Sequence, residues 1–446
     1  MIQLAPLQTE SSDAETELRN QAINQYIAGK QPAEICRQLG RSRTWFYDTL
    51  NRYRAAGREG LRSRSRAPHR VHNRTSEELE AAIERVRKLI VEGQDPELRY
   101  ANRGATAIAA ELKRTGITPP SRATITRILN RRNLAQPRPP RSRAPRLPRD
   151  YPWVHVQQPN QLHLLDFVAR CLVGGEHVIG YHLLDQARRW PYLAAEATKN
   201  RDKVSKFPVA AWQEIGLPQA LHIDNDVVWR GSGSAARTFS YIVRLCLYLG
   251  VEVIFTPPYT PQANPVIESF NNVWNHNFWQ RESFLSLLHV HTCLPVFQRY
   301  CRERRPLPEF ADQFAVQLYP DFVPVCLAAD FVLPDRLPLT AGRLHFIRFV
   351  SHQGTFSLLN EAWPLDADEW AGKVIRATLL LEQQQLHVYY QKTVREPAVM
   401  IKQFDYTLSE PVRPLDPAFQ RPTLALWPET EAFHCKCKLC AEPKLE

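Results

Sequence analysis

The chain lacks any run approaching the ~20 consecutive apolar residues of a membrane-spanning helix. Its opening stretch, MIQLAPLQTESSDAE, has neither the basic nor the apolar zone of a secretory signal peptide. No amphipathic membrane anchor is visible. A disulfide framework is also missing: most of the nine cysteines stand alone in apolar runs, as Cys36, Cys246 and Cys326 do, which fits reduced thiols. These absences predict a soluble, cytoplasmic protein with no membrane partner. No serine or tyrosine sits in a nucleophilic constellation, so the chemistry has to be sought in other residue types. At 446 residues, 44% of them hydrophobic, the chain has material for several domains with sizeable cores.

What is present is unevenly placed. Residues 1–150 hold 29 Lys and Arg against 16 Asp and Glu, while the remainder holds 28 against 30. The net charge of +11 therefore belongs to the first third, and a basic segment on a near-neutral remainder points to nucleic acid. That third carries two helix-turn-helix patterns, expected at 1–70 and 71–135. In the first, Pro32 opens one helix, Gly40 makes the turn, and Ser42 caps a helix whose polar start, Ser42, Arg43 and Thr44, would face a major groove. In the second, the capping box Thr75-x-x-Glu78 opens the unit, Ser121 caps its last helix, and Arg122, Thr124 and Arg127 are the groove-facing candidates. A helical protein-interaction bundle with a solvated basic face is the competing interpretation. Residues 136–152 are a Pro- and Arg-rich linker; Arg138 and Arg141 could lie in a minor groove or merely touch phosphates.

The most informative stretch is 256–272, TPPYTPQANPVIESFNN. Pro257, Pro258 and Pro261 forbid a helix interior, whereas Pro265 sits where a helix can begin. From there Val266, Ile267, Phe270, Val273 and Trp274 are apolar at helical spacing, and Glu268 falls in the first turn. An acidic residue there is ordinarily just good capping, so the question is whether other carboxylates arrive at the same place. Residues 161–168, QLHLLDFV, read as a strand interrupted by Asp166, a poor position for a lone charge. Residues 217–226, LPQALHIDND, end in Asp224 where α/β sheets collect catalytic groups, with Asp226 as the alternative. Three carboxylates are hard donors that select Mg²⁺ or Mn²⁺. Two such ions about 3.5–4 Å apart stabilise the attacking and leaving oxygens of a phosphoryl displacement.

Asp166, Asp224 and Glu268, with TPPYTPQANPVIESFN around the last, resemble the DDE catalytic core of the retroviral-integrase superfamily. The likeness is to bacterial insertion-sequence transposases with an integrase-type core, and it covers roughly residues 155–290. The resemblance implies an RNase H-like α/β core in which all three acids are catalytic and hold two Mg²⁺ (or Mn²⁺) ions. Asp166 would bridge the pair, Asp224 hold one ion and Glu268 the other. It implies cutting at transposon ends and joining of the freed 3′-OH to target DNA. Its partners would be double-stranded DNA and at least one further copy of the chain, in the bacterial nucleoid. A non-catalytic DNA-binding regulator and a nuclease on the same fold stay open. Asp185 reads as a turn former, His163 and His222 as buried, satisfied histidines.

The expected core spans 153–290, followed by a helical connector at 291–338. Strand-length segments then predict a small β-barrel at 339–408, with Arg343, Arg348 and Lys373 as phosphate contacts; a structural spacer is the alternative. The tail, 409–446, ends HCKCKLC. Cys435, Cys437 and Cys440 are candidate Zn²⁺ ligands, and a redox-sensitive tail is the other reading. The whole is expected to be multidomain: all-α helix-turn-helix units, an α/β core and a small barrel.

Overall fold

The computed structural model describes residues 14–63, 75–93, 95–135, 147–229, 236–394 and 396–427. The chain divides into two compact units, 1–75 and 76–446. Arg138 and Arg141 of the linker and Cys435, Cys437 and Cys440 of the tail lie outside the described residues.

The first unit is helical: α1 (Ala14–Ile27), α2 (Pro32–Gln38) and α3 (Arg43–Ala56). Pro32 starts α2, and Gly40 takes the left-handed conformation (φ 63°) that the turn into α3 requires. Ser42 caps α3 as the sequence predicts, its hydroxyl accepting from the Trp45 amide at 3.2 Å. Ala22, Ile23, Ile35, Phe46 and Leu50 form the core, leaving Arg43, Thr44, Tyr47, Asp48 and Asn51 on the open face of α3.

The second unit opens with α4 (Glu77–Glu92), α5 (Ala105–Arg114) and α6 (Arg122–Arg131). The cap of α4 is Ser76 rather than Thr75: its extended backbone lets its hydroxyl accept from the Leu79 amide. Ser121 caps α6 as expected. These helices pack on the rest of the unit, with Tyr100 against Phe278 and Phe297, and the Asn277 amide donating to the Tyr100 carbonyl at 2.8 Å.

The strands are β1 (Leu162–Cys171), β2 (His177–Asp185) and β3 (Trp190–Glu196), then α7 (Arg201–Ile215), β4 (Ala220–Ile223), α8 (Tyr241–Tyr248) and β5 (Glu252–Phe255). After α9 (Pro265–Val273) and α10 (Leu287–Glu303) come β6 (Arg343–Phe349), the hairpin β7 (Thr355–Leu358) and β8 (Glu361–Pro364), α11 (Ala367–Trp370), β9 (Val374–Leu380), β10 (Gln385–Tyr390) and β11 (Val399–Asp405). Three antiparallel strands followed by alternating helices and strands are the pattern the sequence predicts for the core. One face of β1 and β4, through Leu162, Leu164 and Ala220, packs with Ile267, Phe270 and Trp274 of the α9 region and with α10. The other, through Leu165, Leu221 and Ile223, packs on α7 and α8. Period-two alternation thus places Asp166 on the α9 side.

The C-terminal strands depart from expectation. β6 pairs in parallel with β5 (Val253↔Leu344, Phe255↔Phe346), so one sheet runs β11-β10-β9-β6-β5-β4-β1-β2-β3. Among the described residues these pairings form an open extension of the central sheet, with β11 paired to β10 alone, rather than a barrel closed on itself. Periodicity cannot reveal this, because an extending strand and a barrel strand have the same alternation. TFSLLNEAW also proves to be two strands, joined by a turn at Leu359 and Asn360. Among the described residues no helix is long and apolar enough to cross a membrane.

Candidate catalytic cleft

Asp166, Asp224 and Glu268 line a single cleft of about 810 Å³. Each arrives for a different local reason. Asp166 is an inward position of β1, paired in register with His182 of β2. Asp224 follows the last residue of β4, at the strand's C-terminal end. Glu268 lies in the first turn of α9, which starts at Pro265 and buries Ile267 and Phe270. The prolines at 257, 258 and 261 take the chain from β5 to that helix, and their loop lines the same cleft.

Asn271 links two of the acids. Its Nδ2 donates to Asp166 Oδ2 at 2.6 Å, and it reaches Glu268 as well. With that nitrogen committed, its oxygen faces His182 Nδ1 at 2.8 Å, so the imidazole donates from Nδ1. Burial pushes the His182 pKa down to about 4, which keeps the ring neutral. Gly180 makes room for it: a Cβ there would come within 3.0 Å of His182 Nε2 and 3.1 Å of Trp274 Cζ2. Asp224 stands at the cleft mouth, where its Oδ1 accepts from Trp229 Nε1 at 2.8 Å and the Asp226 amide at 3.0 Å. Asp226 is salt-bridged to Lys199, whose ammonium also lies over the Phe167 ring.

All three carboxyls resist ionisation. Burial pushes Asp166 up to about 6; its hydrogen bonds from Asn271 and the Phe167 amide oppose this, and the charges of Asp224 and Glu268 add to it. Asp224 is raised by burial, with the charge of Asp226 adding to it, and Glu268 by burial against the pull of Asn271. A cation in the cleft would favour the ionised carboxylates and so oppose these upward shifts, and the oxygen donor set suits a hard divalent metal. Among the described residues, however, no group of three or more His, Cys, Asp or Glu is gathered closely enough to hold a metal ion.

The other predicted positions fall as follows. Arg43 and Thr44 are exposed beside the Ser42 cap. Arg127 is exposed on α6, Arg122 pairs with Asp312, and the Thr124 hydroxyl lies against Ser121 Oγ. Asp185 is a turn former, accepting from the amides of Asn160, Ala187 and Arg188. His163 is buried on the opposite face from Asp166 and bonded to Asn160 Oδ1. Two of the three proposed phosphate contacts are corrected: Arg343 is paired with Glu252, and Arg348 is buried. Lys373 lies over the rings of Trp370 and Tyr390. Asn271 had a legible signal, since three residues after Glu268 lies on the same helix face. Asn225 and Arg348 had none, because their contacts reach 31 and 123 residues along the chain, and nothing local marks Trp229, five residues after Asp224, as its donor.

Residues 19–81 match the winged helix-turn helix family. The N-terminal region is therefore a helix-turn-helix region, ahead of an α/β domain with a large mixed sheet. The chain is similar to one in the cryoEM structure of a simian T-cell lymphotropic virus intasome in complex with PP2A regulatory subunit B56 gamma. That match has 13% identity, covers 68% of this chain and 91% of that one, and has a TM-score of 0.32. It is also similar to the HTLV-2 integrase catalytic core domain in complex with magnesium, in trimeric and dimeric forms. Both matches have 9% identity, cover 36% of this chain and 97% and 96% of those chains, and have TM-scores of 0.29. Scores this low do not establish a shared fold.

Proposed function

We propose that this protein is a DDE-type DNA transposase or integrase, cutting transposon ends and joining the freed 3′-OH to target DNA. The observation that carries the reading is the convergence of Asp166, Asp224 and Glu268 on one cleft from three separated segments. A DNA-binding protein without chemistry has no use for three carboxyls that burial in one cleft holds against ionisation. Two Mg²⁺ or Mn²⁺ ions held by these carboxylates would neutralise phosphate charge and acidify an attacking water.

The chain's own residues supply the rest. Asn271 fixes the carboxylate of Asp166 relative to Glu268, and Trp229 with the Asp226 amide fixes that of Asp224. The Lys199 pair with Asp226 leaves Asp224 as the better second acid. Arg43 and Thr44 on α3, and Arg127 on α6, would contact double-stranded DNA, the polar start of α3 being placed for a major groove. Work on two DNA ends at once calls for at least two copies of the chain.

The test is strand cleavage and joining by the purified protein on labelled end DNA, in Mg²⁺ or Mn²⁺, beside Glu268→Gln. Joined product with wild type and none with the variant is the expected result. Cleavage without joining would make the protein a nuclease. DNA binding that the variant leaves unchanged, with no chemistry in either metal, would make it a regulator and refute the enzyme.

A further inference from the structure

We propose that Arg348 is a positioning residue for the cleft, tying the loop that carries Asp224 to the loop that leads to Glu268. The inference rests on the catalytic reading above and assigns the C-terminal strands a part in it. Because β6 runs parallel to β5, its last residues come level with Thr256, where β5 ends and the proline loop begins. There Arg348, only 7% exposed, spreads its guanidinium over three segments. Nη2 donates to Asn225 Oδ1 at 2.9 Å, Nη1 to the Thr256 carbonyl at 3.0 Å, and Nε to the Ser357 carbonyl of β7 at 2.9 Å. Asn225 closes the knot by donating its own Nδ2 to the same Thr256 carbonyl.

Asn225 is flanked by Asp224 and Asp226, and Thr256 starts the segment that ends in Glu268. The two loops leave the paired ends of β4 and β5, where Ile223 lies opposite Phe255 and the Thr256 amide donates to the Ile223 carbonyl, and the planar fork carries that tie past the last strand pair into both acid-bearing loops. Burying a guanidinium is costly, and an apolar residue would hold the β5–β6 edge at least as well. What an apolar residue or a lysine cannot do is donate in three fixed directions. The same strands also form one wall of the cleft, through Phe349, Ser357 and Asn360. At the hairpin tip Leu359 and Asn360 both adopt left-handed conformations (φ 46° and 66°), as the two central residues of a tight hairpin turn do.

The experiment compares full-length wild type, Arg348→Lys and Asn225→Ala, with Arg376→Lys as control. Arg376 is also a buried arginine of this sheet, but it lies over Trp427 and Tyr389 and does not line the cleft. Two quantities are read: metal-free hydrogen exchange of residues 224–228 and 256–260, and the Mn²⁺ concentration giving half-maximal strand cleavage. Arg348→Lys and Asn225→Ala should each speed exchange in both loops and raise the half-saturating Mn²⁺ by ~10–100-fold, with much of the rate recovered at high Mn²⁺. Arg376→Lys should lower thermal stability while moving neither quantity. If Arg348→Lys behaves like the control, or fails to fold while Asn225→Ala leaves both quantities unchanged, the positioning role is wrong. A wild type inert in every metal would overturn the catalytic reading, and the exchange data alone would then decide whether the tie exists.

Discussion

Replacing Asp166 with asparagine should make the metal-free protein more stable. With the carboxyl raised from 3.8 to about 6, its ionised form is disfavoured in the fold by roughly 2 pKa units. At ~1.4 kcal/mol per unit this is about 3 kcal/mol. Asp166 retains some exposure, and an asparagine offers one acceptor where two donors, the Phe167 amide and Asn271, now point. Allowing for both, a net gain of about 1–2 kcal/mol remains, which for a unit as large as 76–446 is a rise in Tm of roughly 1–3 °C. The sign has a pH signature. A raised folded-state pKa contributes stability below the unfolded value of 3.8, and that contribution is lost as pH rises through about 6. The advantage of Asp166→Asn should therefore grow between about pH 4 and 6 and be constant above. The assay is thermal unfolding in EDTA across that range, repeated with Mn²⁺. Wild type should gain about 2.7 kcal/mol at a hundredfold excess over Kd, and the variant should gain little. A variant less stable than wild type at pH 7 in EDTA would refute the claim that this carboxylate is held against its preference.

Two further outcomes follow from the same contacts. Asn271→Ala frees Asp166 from Glu268 and should weaken Mn²⁺ binding, read by thermal shift, by ~10–100-fold; Gly180→Ala should do so more mildly by displacing His182 from Asn271, and unchanged titrations would exclude the chain of contacts. Acid should destabilise the fold: burial lowers His163 to about 3 and His182 and His222 to about 4. A depressed folded pKa contributes stability above the unfolded 6.5 that is lost as pH falls toward about 4, up to ~1.4 kcal/mol per pH unit for each ring. Asp166 and Asp185, both raised to about 6, offset part of this below pH 6. Urea unfolding of His163→Asn should show a correspondingly shallower slope, and an identical slope would rule His163 out as a source.

Signals carried within one element were legible in the sequence. Pro265 at a helix start, the apolar spacing from Val266 to Trp274, and a charge inside QLHLLDFV sufficed to place Glu268 in the first turn of a helix and Asp166 within a strand. Ser42 and Ser121 were legible as caps because capping is decided over three residues. Thr75 and Ser76 differ by one position in an equivalent chemistry, and backbone geometry alone chooses between them. Contacts spanning a hundred residues were not legible. Arg348 reads as a surface cation in RLHFIRF because alternation does not say which sheet face is covered, and its partner Asn225 lies 123 residues away. The pairing of β6 with β5 is of the same kind: nothing local to either strand names its neighbour.

The arrangement explains why the acids need so much support. A strand position, a strand end and a helix start are each stable alone, but burial in the cleft raises the pKa of all three carboxyls, and the charges of Asp224 and Glu268 add to the rise at Asp166. The loops at 224–228 and 256–264 carry Asp224 and lead to Glu268, so the position of both acids depends on how these loops are held. Hydrogen bonds hold them. Asn271 couples Asp166 to Glu268, Trp229 holds Asp224, and Arg348 joins the two loops from behind. Their donors are neutral or, for Arg348, directed at neutral acceptors, so they restrain the carboxylates without neutralising them. That distinction matters for function. A salt bridge to each acid would stabilise the fold further and compete with any cation, whereas neutral restraint keeps the negative charge available for one.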